Sequence, residues 1–383
     1  MQSSTLVEEL QCAALRNEPV DWPANTDQNL VDRFLSSSEN HGVQALLYHQ
    51  LKSTPSWLTW PTVLQDALSQ AARQQTAVEM IREPTLAKLI DALTTENIYP
   101  VLMKGGALAY THYSSPNLRP RCDTDLFIAK SDLSKLSRIL QTLGYTTYPI
   151  RGELTTYQTQ FSKQEVPGIS VVLDVHWRIN NRQFFAATLD YPGVLKLSVP
   201  IPQLHSRARG LAPPHALFLA CLHRAANRYG QHADDGHTSR DRLIWLYDIH
   251  LLLNGMTFEE IDLFVKLCRA FQVRTVCLDA IEQVRTSLNT ALPHSIVSGL
   301  ANTEASELSA GYLTSSRLKV LYMDFKSLPR WRDKLQLLAE YSLPDSRYLV
   351  DRYAVSGCLR VPFAYGVYLL HTIKKVMQAL WTR

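Results

Sequence analysis

Residues 98–128, IYPVLMKGGALAYTHYSSPNLRPRCDTDLFI, restrict what this chain can fold into more than any other stretch. The apolar run 99–103 reads as a buried strand, Gly105 and Gly106 break it, and the small residues of 107–113 read as a helix. Residues 114–120 have the composition of a loop, and 123–128 alternates polar and apolar positions as a second strand does. Strand, glycine turn and helix in that order let backbone N–H groups and a helix N-terminus approach a phosphate closely. The second strand then carries two aspartates, Asp123 and Asp125, two positions apart.

The mixed pattern continues for a further fifty residues. Ser131 reads as a helix N-cap with Asp132 in the first turn, and Leu133, Leu136, Ile139, Leu140 and Leu143 stripe a helix that Gly144 ends. β-type runs follow at 145–150, 157–161 and 169–179. On either side the apolar spacing is helical, over 5–95 with breaks at 19–29 and 53–61, and again from Pro213 to the end. The expected organisation is a helical N-terminal region over 1–95, a mixed α/β core over 96–205 and a helical C-terminal region over 206–383. That is an α+β fold with a small mixed sheet. The polar island 229–240, YGQHADDGHTSR, reads as a loop. Its His232, Asp234, Asp235 and His237 lack the second anchored pair that a closed metal site needs.

A length of 383 residues and 46% hydrophobic composition allow a sizeable core. The formal charge of +4 gives no strong signal for duplex nucleic acid and suits a negatively charged small substrate equally well. Six cysteines, at 12, 122, 221, 268, 277 and 358, are scattered without a CxxC pair, the usage of reduced thiols in a cytosolic protein. The N-terminus lacks the order of a signal peptide, and the longest apolar run, 361–373, is short and interrupted by Pro, Gly and His. A soluble, cytoplasmic chain is expected. The tail LRVPFAYGVYLLHTIKKVMQALWTR is apolar with a basic end, and reads as a docked helix or as one that contacts a membrane surface or a partner.

On a strand, Asp123 and Asp125 leave the same face with Cα atoms about 6.7 Å apart. Two such carboxylates at about 4 Å repel by roughly 4 kcal/mol at an effective dielectric near 20, so they need a cation or a pKa shift. Mg²⁺, held by one or two carboxylates plus substrate phosphates, answers that need. Asp174, in VVLDVHWRI, supplies a third carboxylate if its strand lies beside 123–128, and two carboxylates bridging two metals, with a third activating the attacking hydroxyl, run in-line displacement at phosphorus. Lys104, Arg119 and Arg121 would neutralise phosphate charge. Each residue also has a plainer reading. An isolated DxD is a solvated strand end or a structural ion pair, Lys104 a solvated strand end, and Arg121 a partner of Asp123 or Asp125. His176, two beyond Asp174 on the same strand face, contacts substrate or metal, or is a packed histidine. Trp177 and Tyr113 stack on a base or pack in the core.

LMKGGALA, then RPRCDTDLFI, then LDVHW, and a helical half containing LHRAA and RLIWLYDIH, together resemble the uncharacterised nucleotidyltransferase family of the DNA polymerase β-like superfamily, over residues 20–290. The resemblance implies a small mixed-sheet nucleotidyltransferase core. It also implies Mg²⁺-dependent transfer of a nucleoside monophosphate from an NTP such as ATP to a hydroxyl acceptor, with pyrophosphate released and two ions engaged. Asp123, Asp125 and Asp174 are then the catalytic metal ligands, Lys104, Gly105, Gly106 and Arg119 bind the nucleotide, and His176 is a possible substrate contact. Many members carry Gly-Ser where this chain has Gly105 and Gly106, so phosphate contact falls to the backbone or to Lys104. His223 and Asp248 match recurrent positions of the helical half and read as bonds between helices. The acceptor, a small molecule, a protein side chain or an RNA end, is not encoded in any motif here. A noncatalytic nucleotide-binding or protein-interaction module with a vestigial metal site is the alternative.

Overall fold

The computed structural model describes residues 2–24, 27–228, 241–301, 307–314, 317–355 and 360–381. The N-terminal helices are α1 (Gln2–Leu15), α2 (Gln28–His41), α3 (Gln44–Leu51) and the long α4 (Thr62–Thr95). The sheet region runs β1 (Val101–Met103), α5 (Lys104–Thr111), β2 (Thr124–Phe127), α6 (Leu133–Thr142), β3 (Thr146–Thr147), β4 (Gln158–Val166), β5 (Ile169–His176), α7 (Gln183–Ala186), α8 (Tyr191–Leu197), β6 (Val199–Pro200) and β7 (Arg209–Gly210). Then follow α9 (Pro213–Arg228), α10 (Leu243–Gly255), α11 (Phe258–Ala270), α12 (Arg274–Leu288), α13 (His294–Ala301), α14 (Arg317–Ser327), α15 (Trp331–Ser342), α16 (Ser346–Arg352) and α17 (Arg360–Trp381). This is the α+β arrangement that the sequence implies.

The strands form one mixed sheet in the order β3-β4-β5-β2-β1-β7-β6. At its centre β2 is antiparallel to β1 and parallel to β5, with Asp125 opposite Asp174 and Phe127 opposite His176. Strand alternation divides the side chains between two cores. Leu102, Leu126, Ile128, Leu173 and Val175 face α4 and α6, packing on Leu86, Leu89, Leu93, Leu136 and Leu140. Val101, Met103 and Phe127 face the other way, into the core shared with the N- and C-terminal helices. The same alternation turns Asp125, Asp174 and His176 away from the α4 and α6 core.

Several local expectations shift. Helix α5 starts at Lys104 and so contains both glycines. Lys104 itself sits at φ +50°, in the left-handed region that a non-glycine residue adopts at a cost of order 1–3 kcal/mol. A 3₁₀ turn over Lys130–Asp132 precedes α6, so Asp132 rather than Ser131 occupies the cap position, and it makes no side-chain cap bond. Gly144, at φ +88°, does end that helix. The runs at 157–161 and 169–179 are the two arms of a hairpin that turns at Gly168 (φ +82°). The two-residue strands β6 and β7 are too short to leave a periodic signal, and they extend the sheet to Gly210. Cys12, Cys122, Cys221, Cys268 and Cys277 are free thiols, and among the described residues no helix is long and apolar enough to cross a membrane.

Leu173 is fully buried at the centre of the α4 and α6 core. Leu173→Ala should lower stability by about 2–5 kcal/mol, the cost of lost burial plus a cavity, read from the midpoint shift in urea unfolding.

Candidate active site

The parallel pairing of β2 with β5 brings Asp125 and Asp174 side by side, and His176 follows on the same face of β5. One ligand atom from each of these three residues lies within 4.8 Å of the other two, and all three are buried. Asp125 Oδ1 accepts from Lys104 Nζ at 2.6 Å and contacts His176 Nε2 at 2.8 Å. Burial alone would raise the Asp125 pKa, but the Lys104 charge and the His176 bond hold this carboxyl well below the usual carboxylate range. The Lys104 ammonium, desolvated in its turn, is held protonated by Asp125.

Asp174 is fixed by a pair of residues the sequence reading did not single out. Gln158 Nε2 donates to Oδ2 at 2.5 Å and Gln160 Nε2 to Oδ1 at 3.2 Å, both from β4, where Gln160 is the direct neighbour of Asp174. Gln158 is held in turn by Asn181 Nδ2 at 3.0 Å, and Asn181 accepts from the Tyr157 backbone N–H at 2.8 Å. Two glutamines at two-residue spacing in YQTQF mirror the spacing of the aspartates, and that was the legible signal.

Asp123 stands one residue before β2, where the strand no longer dictates its direction, and it lies outside the 4.8 Å cluster. It does line the same cavity, and its carboxyl is pushed up to about 6 by burial and by the charges of Asp125 and Asp174. The cavity has a volume of about 780 Å³ and is also lined by Lys104, Gly105, Gly106, Arg119, His223 and Trp245. This donor set of two buried carboxylates, an imidazole and a third carboxyl lifted by burial and repulsion fits a hard divalent cation.

Arg119 crosses the cavity wall to meet the helical half. Its Nε and Nη2 donate to the two carboxylate oxygens of Asp248 on α10, at 2.8 and 2.7 Å, and Tyr113 Oη donates to the same carboxylate at 2.8 Å. A Cβ on Gly105 would come within 2.9 Å of the Arg119 guanidinium carbon, so the bare backbone lets that group lie against the turn. A Cβ on Gly106 would stand 3.1 Å from Thr124 Cγ2, which sets how closely α5 approaches β2. Asp248 therefore joins a helix to the α/β core rather than two helices to each other.

Arg121 pairs with neither Asp123 nor Asp125. Its Nη2 donates to Glu79 Oε1 at 2.7 Å, inside a buried group to which the long helix α4 supplies Glu79 and Arg82 and α5 supplies Tyr110. His223 packs edge-on against Trp245, and burial and the Lys104 charge push its imidazole down to about 3, so it is neutral at physiological pH. Tyr113 is buried against Tyr247, and Trp177 packs with Tyr157 and Ala186, so both are core residues. His232, Asp234, Asp235 and His237 lie outside the described residues.

The family model for uncharacterised nucleotidyltransferases matches residues 27–289, which include every residue of this site. The chain belongs to the uncharacterised nucleotidyltransferase family. Membership assigns it to the enzymes that carry out nucleotidyl transfer. No curated protein matches the sequence. Among solved structures, the chain is similar to the antibiotic-resistance factor ANT(2'')-Ia in solution at 15% identity, covering 54% of this chain and 98% of that one, with a TM-score of 0.34.

Two outcomes follow for this nucleotidyltransferase. Asp248→Ala strands a buried guanidinium, which should cost about 3–5 kcal/mol in denaturant unfolding. Asp123 titrates in the folded protein above its ordinary value of 3.8, at about 6. The folded state thus holds that proton more tightly, and the stability it contributes to the metal-free protein is full at low pH and lost as pH rises through about 6. A divalent cation relieves the same repulsion, so it should raise the melting temperature more at about pH 7 than at about pH 5. Equal shifts at the two pH values would contradict this assignment of Asp123.

Proposed function

We propose that this site transfers a nucleoside monophosphate from an NTP to a hydroxyl acceptor with Mg²⁺, releasing pyrophosphate. The observation that carries the reading is the side-by-side pairing of Asp125 and Asp174 in the lining of a cavity that also includes Gly105 and Gly106 at the start of α5. Asp123, Asp125 and Asp174 would hold the metal ions, two by analogy with other carboxylate sites of in-line displacement at phosphorus. Bound there, such ions would supply Lewis-acid polarisation of the α-phosphate and would offset the charge of the triphosphate.

The remaining steps belong to the chain's own groups. Asp174, oriented by Gln158 and Gln160, aligns the acceptor hydroxyl and takes its proton as the oxygen attacks the α-phosphorus. A bond from that oxygen to phosphorus forms, the bond to the bridging oxygen of the β-phosphate breaks, and pyrophosphate leaves. Lys104, bonded to Asp125 in the cavity lining, would place its ammonium against the triphosphate. The backbone N–H groups at the start of α5 face the same phosphates, and Arg119, locked by Asp248, adds a fixed positive charge to their wall. His176 orients Asp125 and borders the acceptor. A volume of about 780 Å³ is within the range of small-molecule sites.

Incubation with each α-labelled NTP, Mg²⁺ and a cell extract tests the reading by transfer of label to an acceptor. Asp125→Asn should lower that transfer by roughly a thousandfold or more while leaving the circular dichroism spectrum unchanged. Full transfer by this variant would sink the proposal, and metal-dependent NTP binding with no pyrophosphate release across acceptors would favour a noncatalytic module.

A further inference from the structure

Helices α14 and α15 carry an apolar stripe on the outside of the protein. Their inner face is anchored: Val320, Met323 and Leu337 are buried, as is Leu328 in the connection between them, and Asp324 accepts from Tyr312 Oη at 2.8 Å and from the Gln183 backbone N–H at 2.9 Å. The outer face should then be polar in an ordinary surface helix. It is not. Leu318 and Tyr322 on α14 are 56% and 55% exposed, and Trp331, Leu335 and Leu338 on α15 are 71%, 62% and 49% exposed.

Spacing puts these side chains on one surface. Leu318, Tyr322 and Phe325 follow the i, i+4, i+7 rhythm of a single helix face, and so do Trp331, Leu335 and Leu338. The two rows join where the Phe325 and Trp331 rings meet edge-on at 6.2 Å, with Lys334 Nζ 5.3 and 5.1 Å from their centroids. Cations surround the stripe. Residues 318–334 contain Lys319, Lys326, Arg330, Arg332 and Lys334 against two acidic residues, and one of those, Asp324, is buried in the anchor.

We propose that this surface docks the protein on a bilayer rich in anionic lipid. Exposed leucines and a tryptophan flanked by lysine and arginine match a hydrocarbon boundary below negatively charged headgroups. Three leucines in the stripe have no ring to stack on a base, which argues against single-stranded RNA as the occupant. A two-fold contact between copies would set the same cations against themselves, which argues against a dimer. Among the described residues no helix can span, so the contact is peripheral.

Co-sedimentation of the full chain with vesicles tests this. Vesicles of phosphatidylcholine with about one quarter phosphatidylserine should retain at least about tenfold more protein than phosphatidylcholine alone, and high salt should release it. The double substitution Trp331→Ser, Leu335→Ser, at exposed positions, and the charge reversal Arg330→Glu, Arg332→Glu should each abolish retention. Leu58→Ser, at a position 85% exposed on another part of the molecule, should leave it unchanged. Equal retention on neutral vesicles, or none on either, overturns the proposal. So does binding of single-stranded RNA, or a dimer by light scattering, that the same substitutions remove while vesicles bind nothing.

Discussion

The Asp248 carboxylate carries a burden out of proportion to its size. It receives both arms of the Arg119 guanidinium and the Tyr113 hydroxyl, and through them it fastens helix α10 to the loop and helix that follow β1. Without that bond the cavity would lose the wall that faces the sheet. The geometry also explains Gly105, whose missing side chain is the space the guanidinium occupies. A buried ion pair is weak evidence of net stabilisation, because desolvation offsets much of the attraction. Its effect here is positional: it fixes one orientation of helical half against sheet.

Around the aspartates, local charge balance sorts chemically identical groups into different states. Asp125 has an ammonium and an imidazole on one oxygen and stays ionised, whereas Asp123 is lifted by burial and by the charges of Asp125 and Asp174, which the Lys104 charge only partly offsets. Asp174 is steadied by neutral amide donors, which direct its oxygens without cancelling its charge. The cluster is thus one cation short of comfortable, with Lys104 making up part of the deficit from a left-handed backbone position.

Much of this was written in the sequence in a readable form. The order of strand, helix and aspartate strand follows from residues 98–128 because period-two alternation and glycine breaks are local signals, although the two glycines lie within the helix rather than in a turn before it. The family was legible from the same motifs together with LDVHW and the helical half. What could not be read was the partner of each charge. Arg121 finds Glu79 because α4 continues across 34 residues to reach it, and Arg119 finds Asp248 across 129 positions. Neither pairing has a local pattern. Asp123 is the opposite case: the DxD spacing is local, but the strand begins one residue too late to aim the first aspartate. Strands β6 and β7, two residues each, were invisible because alternation needs a longer run.

The long separation between Arg119 and Asp248 has a bearing on how the protein is made. The glycine turn, the aspartates and the glutamines have all left the ribosome well before residue 248, and domains fold as units during synthesis. Until α10 emerges, the Arg119 guanidinium lacks the Asp248 carboxylate that receives two of its bonds in the finished fold. Closure of the cavity is therefore among the later, non-local contacts, the kind that slow folding. A nascent nucleotidyltransferase of this build is unable to enclose a substrate before its helical half is complete.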